Sequence, residues 1–310
     1  MSAENSVKNN ADAIIFHTAN CFHKKQLALW QMRNRLREFL IASSHNMHRN
    51  GEVDNMKNIA IVTGASSGMG REFALKIDRM FKNIDEIWII ARRLDRLEEL
   101  RDSINKPCII VCEDITDSGF NIRFNKMLKQ ENVGVKLLVN CAGYGIIGNF
   151  GEAAHDVTVG MVNTNCAGLT SVTYMVLPYM VKNSRIINLA SSSAFLPQPG
   201  FGVYAASKAY VLSFSRALRC EVKNRDISVT AVCPGPVATD FFSIAEGEHK
   251  RAWFKDLFMV NASDVVDKAI KDSIEKKEIS IYGIPMKLLY LLTKIVPHRI
   301  ILNIYSATLK

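Results

Sequence analysis

The stretch Ile59-Ala-Ile-Val-Thr-Gly-Ala-Ser-Ser-Gly-Met-Gly70 decides the fold. An apolar run this short, ending in closely spaced glycines and followed by a helical pattern, reads as a buried strand that turns directly into a helix. Such a turn lets backbone approach a pyrophosphate while the helix N-terminus points at the anion. Gly64, Ser66, Ser67, Gly68, Met69 and Gly70 are therefore candidate contacts to a dinucleotide.

Outward from this stretch the chain alternates strand and helix. Apolar runs at about 58–63, 86–91, 107–112, 135–140, 184–190 and 227–233 read as buried parallel strands, with amphipathic segments between them. The expected fold class is α/β, a doubly wound parallel sheet of Rossmann type flanked by helices. Right-handed crossovers leave the ligand crevice at the carboxyl ends of the strands. Arg92, Asp114, Asn140 to Gly143, Ser191 and Pro234 each follow a strand in turn. Asp114, an acid ahead of a helical segment, reads as an N-cap. Asn140 reads more as a brace at its strand end than as a substrate contact.

Tyr204 and Lys208, in Val203-Tyr-Ala-Ala-Ser-Lys-Ala209, share one helix face. Lowering a phenol from a pKa of about 10 to about 7 takes roughly 4 kcal/mol. An ammonium about 4 Å away, at an effective dielectric of about 20, offers that much. The expectation is thus a tyrosine made acidic by its lysine. Tyr290 and Lys294 repeat the spacing. However, Ser191 stands thirteen residues before Tyr204, whereas Lys277 holds that place before Tyr290, so the second pair is assigned to an amphipathic tail. Spacing and the Asn188-Leu-Ala-Ser191 register select Ser191 over Ser192 and Ser193.

Together these features resemble the short-chain dehydrogenase/reductase superfamily, over about residues 57–280. Its TGxxxGxG fingerprint matches Thr63–Gly70, NNAG matches Asn140-Cys-Ala-Gly143, YxxxK matches Tyr204–Lys208, and PGxVxT matches Pro234, Gly235, Val237 and Thr239. Asn165, in Asn165-Cys-Ala-Gly168, falls where the family carries its fourth catalytic residue. The resemblance implies a seven-stranded sheet and interconversion of a ketone and a secondary alcohol with NAD(P). Tyr204 is then the proton donor, Ser191 holds the substrate oxygen, Lys208 tunes the tyrosine and holds ribose, and Asn165 anchors a relay water. Further implied cofactor contacts are Asp114, at the adenine as the alternative to its N-cap reading, and Asn140, Ala142, Gly143, Pro234, Gly235, Val237 and Thr239. Homodimers or homotetramers are usual in the family.

Arginine rather than an acid at Arg92, with hydroxyls at Ser66 and Ser67, favours NADP(H) over NAD(H). The apolar, aromatic lid expected at Pro236–Ile244 and Trp253–Phe258 suits a bulky lipophilic substrate. Leu196–Gly202 resembles hydroxysteroid dehydrogenases and long-chain 3-ketoacyl reductases, which sets a steroid first and a fatty acyl chain second. A sugar-nucleotide epimerase or dehydratase needs a larger polar C-terminal domain, and a non-catalytic cofactor-binding regulator is expected to have lost a catalytic residue.

Of 310 residues, 48% are hydrophobic and 22% charged, which supports one large core plus appendages. Seven scattered cysteines make neither a disulfide framework nor a metal site, and no secretory signal is evident, so the expected compartment is the cytoplasm. The formal charge of +9 equals the excess at 20–49 (+5) and 281–310 (+4), leaving the remainder balanced and no basic face for nucleic acid. The chain divides into a basic amphipathic N-terminal extension (1–56), the catalytic domain (57–280) and an apolar basic tail (281–310), both extensions helical. Neither extension has an apolar run near the roughly 20 residues of a membrane span. Contact with a membrane surface, packing on a partner subunit and covering the substrate mouth stay open for both.

Overall fold

The structure is a computed structural model that describes residues 56–241, 245 and 259–308. Residues 1–55 of the N-terminal extension and the lid segment Trp253–Phe258 lie outside the described residues.

Strands β1 (Lys57–Thr63), β2 (Glu86–Ala91), β3 (Cys108–Cys112), β4 (Val133–Asn140), β5 (Met180–Leu189) and β6 (Ser228–Val232) match the apolar runs. A two-stranded pair, β7 (Val237–Ala238) and β8 (Val260–Asn261), lies apart, and β9 (Ile279–Ser280) completes the main sheet. The order is β3-β2-β1-β4-β5-β6-β9, with every pairing parallel. β5 begins at Met180, upstream of the run at 184–190, and Asn183 within it adopts a left-handed backbone (φ 59). Pairing with β4 shifts register there.

Alternation along the strands divides the core. Ala60 and Val62 of β1 face a layer built on helices α1 (Gly68–Met80), α2 (Leu94–Asp102) and α7 (Ala262–Ile274). Ile59 and Ile61 face the other layer, with α3 (Phe120–Gln130), α5 (Leu169–Val176) and α6 (Gly202–Glu221). Helix α1 offers Phe73, Ala74 and Ile77, a helical stripe that is wholly buried. Truncating any of its large members costs about 2–5 kcal/mol. Asp272 of α7 ties the last strand to this layer by accepting from Lys268, from Lys277 at 2.9 Å and from Ser280 at 2.7 Å.

β1 lies between β2 and β4, with Thr63 opposite both Ile90 and Asn140. Strand order reverses there, so the loop after β1 and the loop after β4 flank one crevice.

Candidate active site

The loop after β1 is shaped by close backbone approach. Gly64 has φ +67, and a Cβ there would stand 2.6 Å from the amide nitrogen of Ala142. Only glycine permits that contact. Thr63 Oγ1 accepts from the amides of Cys141 (3.1 Å) and Ala142 (3.2 Å), locking the two loops together. Ser67 precedes α1 without a side-chain cap to its first-turn N–H groups, and Ser67, Met69 and Gly70 line the crevice.

A cavity of about 570 Å³ runs along this edge and is lined by Gly64, Ser66, Ser67, Met69 and Gly70 among others. Arg92, Asp114, Ala142 and Gly143 also line it. The two arginines behave differently. Arg92 pairs with Asp114 at 3.4 Å, whereas Arg93 donates to Ser66 Oγ (3.1 Å) and Ser67 Oγ (2.7 Å). Sequence reasoning singled out Arg92 and passed over Arg93; its place beside Arg92 after an acid-free strand end was the available signal. Asp114 caps its own turn, accepting from the amide (2.9 Å) and hydroxyl (2.7 Å) of Thr116. Burial pushes this carboxyl up, but Thr116 and Arg92 outweigh it and hold the pKa below its ordinary value. Asn140 does not line the cavity. It is buried and donates to Thr173 (3.0 Å) and Asn188 (2.8 Å), bracing β4 against α5 and β5.

A helix N-terminus without a side-chain cap, a glycine cradle that a Cβ would fill and basic side chains at the end of β2 fit a nicotinamide dinucleotide.

The second cavity, about 170 Å³, opens at the ends of β5 and β6. It brings together Ser191, Tyr204 and Lys208 with Gly143 and Pro234, Gly235, Val237 and Thr239. Ser191 Oγ accepts from the Ser193 amide at 3.1 Å, which caps a short turn. Phe201 stacks on Tyr204 with ring centres 4.3 Å apart, and Phe241 tilts against it at 5.4 Å. Lys208 Nζ lies 5.6 Å from the Tyr204 ring centre and donates to the Leu189 carbonyl at 2.8 Å.

The expected acidification of Tyr204 is not what these surroundings produce. Burial drives its phenol up to about 12, with the Ser191 hydroxyl pulling it down. Burial also brings Lys208 down to about 8, against the buried thiols of Cys141, Cys166 and Cys233. The physical reason is that both groups lie in the same dry wall, where each charged form loses water. Spacing put the ammonium near the ring but said nothing of that cost.

Asn165 sits in a π-helical turn, Asn163–Gly168, between α4 (His155–Val162) and α5. Its Nδ2 donates to the Tyr144 carbonyl and to Ser207 Oγ, both at 2.9 Å, and its Oδ1 accepts from the Tyr144 amide at 3.0 Å. One lone pair of Oδ1 is left to accept a further donor. A Cβ on Gly143 would come within 2.7 Å of that Oδ1 and 3.3 Å of Lys208 Nζ.

The tail contributes as well. Helix α8 (Ile284–Ile295) places Met286 and Leu289 in the wall of the second cavity, and Tyr290 packs on Phe195 with ring centres 4.8 Å apart. Its first turns thus line the same cavity as Ser191 and Tyr204. Phe241 is the lid aromatic among the described residues; Phe242, Ser243, Ile244 and Trp253–Phe258 lie outside them.

A family model described as short chain dehydrogenase matches residues 58–249. Sulfoacetaldehyde reductase 2 of Chromohalobacter salexigens is 32% identical over 227 residues, covering 68% of this chain and 86% of the relative. Hydroxysteroid dehydrogenase-like protein 1 of Gallus gallus is 31% identical over 216 residues, covering 66% and 64%. The crystal structure of a short-chain dehydrogenase/reductase from Burkholderia phymatum in complex with NAD matches with a TM-score of 0.66 at 20% identity, over 76% of this chain and 92% of that one. The chain belongs to the short-chain dehydrogenase family and is an oxidoreductase of that class.

Proposed function

We propose that this enzyme interconverts a ketone and a secondary alcohol on a bulky lipophilic substrate, a steroid before a long-chain 3-ketoacyl chain, with NADP(H) as the preferred cofactor. The observation that carries the reading is the wall of the reactive cavity. Leu189, Phe201, Phe241, Pro236, Met286 and Leu289 surround the Ser191–Tyr204 pair, and Lys208 is the one charged side chain among the described residues that line it. Among the described residues that line this cavity no arginine meets a sulfonate or an amino-acid carboxylate, so the substrate named for the Chromohalobacter relative suits that part of the wall poorly. The enclosed volume of about 170 Å³ is below the roughly 300 Å³ of a full ligand pocket. It takes the reacting end of such a substrate, the remainder lying along Phe241, Met286 and Leu289 toward the opening.

When bound, the nicotinamide supplies or accepts hydride at the reacting carbon. Arg93, Ser66 and Ser67, with Arg92 beside them, form a basic hydroxyl-lined corner that suits a 2′-phosphate. Tyr204 gives its proton to the developing alkoxide, and Ser191 holds that oxygen by hydrogen bonding. Lys208 is protonated at neutral pH with a pKa of about 8, and steadies the phenolate that forms. Lys208 then passes a proton to that phenolate, and a water that donates a hydrogen bond to the remaining lone pair of Asn165 Oδ1 returns one to Lys208.

All six described cysteines are free thiols, which supports a cytoplasmic setting. Exposed Val159, Val162, Tyr174 and Tyr210 on the α4–α6 side support a homodimer or homotetramer.

A panel of steroid ketones, 3-ketoacyl thioesters and sulfoacetaldehyde, each assayed with NADPH and NADH, tests the reading. Turnover of the lipophilic ketones is expected. Efficient turnover of sulfoacetaldehyde with none of the lipophiles overturns it.

A further inference from the structure

Helix α8 has two apolar faces, and the cavity uses one of them. Met286 and Leu289 face the reactive cavity. On the other side Ile284 is 71% exposed, Leu288 60%, Leu291 53%, Leu292 46% and Ile295 71%. At about 100° per residue these five fall in a single stripe roughly opposite Met286 and Leu289. Lys287 and Lys294, both exposed, border the stripe along one edge. Helix α9 (His298–Thr308) continues with exposed Arg299 and Ile300. Residues 281–310 carry four cations and no acid.

An apolar stripe of this size next to water calls for a cover. A second copy of the face is a poor one, because an isologous pairing sets these cations against their own copies with no acid in the segment to separate them. An anionic lipid surface satisfies both features: the stripe enters the boundary between headgroups and acyl chains while the lysines and Arg299 meet phosphates. No described helix is long and apolar enough to cross a membrane, so the contact lies in the surface plane.

We propose that α8, continued by α9, docks the enzyme on an anionic lipid surface through Ile284, Leu288, Leu291 and Ile295, with Lys287 and Lys294 at the edge. Docking stands independently of which ketone the enzyme accepts.

Flotation of the full chain on phosphatidylcholine vesicles, with and without phosphatidylglycerol, tests this. The native chain is expected to float with the anionic vesicles and to lose binding as salt is raised. The variant Leu288→Gln/Leu291→Gln/Ile295→Gln is expected to stay behind. Should that variant misfold, judged by its unfolding midpoint with NADPH, Lys287→Gln/Lys294→Gln supplies the answer, with an expected loss in partitioning of about thirtyfold. Equal flotation of native chain and folded variants, or no flotation at all, overturns the proposal. So does a native dimer that the leucine variant converts to monomer in the absence of vesicles, since the stripe is then a subunit interface.

Discussion

Lys294 Nζ lies 5.3 Å from the centre of the Tyr290 ring, and Lys208 Nζ is 5.6 Å from that of Tyr204. A four-residue helical spacing therefore builds the same pair twice, and only surroundings distinguish them. Tyr204 is buried beside Ser191, while Tyr290 packs on Phe195 in the tail. Tyr204→Phe is expected to lower kcat by at least about a hundredfold with cofactor binding intact. Tyr290→Phe should leave kcat near the native value. Steady-state kinetics and cofactor titration check both; retained turnover in Tyr204→Phe sinks the catalytic assignment.

Lys208 presents a conflict between stability and activity. Its folded pKa of about 8 lies below the ordinary 10.5, so folding favours the neutral amine. The resulting penalty is fully present below pH 8 and disappears as pH rises toward 10.5. Lys208→Met should therefore stabilise the cofactor-free chain at pH 7 by about 2 kcal/mol, after allowance for the lost bond to Leu189, and abolish turnover. Denaturant unfolding at pH 7 and near pH 10 measures this, and a stabilisation that persists unchanged at the higher pH contradicts it.

Tyr204 titrates with the opposite sign. A folded pKa of about 12 against the ordinary 10 means that its contribution is whole below pH 10 and is lost as pH rises through 12. Ser191 holds the phenol down by hydrogen bonding. In Ser191→Ala the alkaline phenolate absorbance of Tyr204 is expected to move to still higher pH, and kcat to fall by about tenfold to a hundredfold. An unmoved titration means that Ser191 does not touch the phenol.

Arg93 bonds two loop hydroxyls while Arg92 is held by Asp114. Arg93→Ala should raise KM for NADPH by about tenfold or more and change KM for NADH little. Arg92→Ala should have the smaller effect. Equal losses with both cofactors would mean that Arg93 shapes the loop and does not read a phosphate.

Gly143→Ala forces a methyl group to within 2.7 Å of Asn165 Oδ1. The cost is about 1–3 kcal/mol of strain, and it falls on the atoms that join Asn165 to the Tyr144 backbone. Reduced kcat in a folded protein, checked by circular dichroism, is the expected outcome.

The sheet was legible because strands buried on both faces are continuous apolar runs, and Thr63–Gly70 ends the first of them unambiguously. β9 was not, since two residues carry no period. Tyr204 and Lys208 were legible as neighbours through helical spacing, and Ser191 through the family resemblance that its spacing to Tyr204 completes. Their protonation was not, because spacing encodes proximity and the pKa follows from burial, which the whole fold sets. Between adjacent Arg92 and Arg93, the choice depends on where the chain leaves the strand and α2 begins, a matter of one residue. For α8, periodicity revealed an amphipathic helix but not that its other face was apolar too and turned toward the cavity.

Met286 and Leu289 are translated after every other described residue that lines the reactive cavity. Domains form from the N-terminal side as the chain leaves the ribosome. The cradle of Gly64, Ala142 and Arg93 can thus assemble on a nascent chain whose substrate wall has not yet been made, and cofactor capture can precede the competence to accept a substrate.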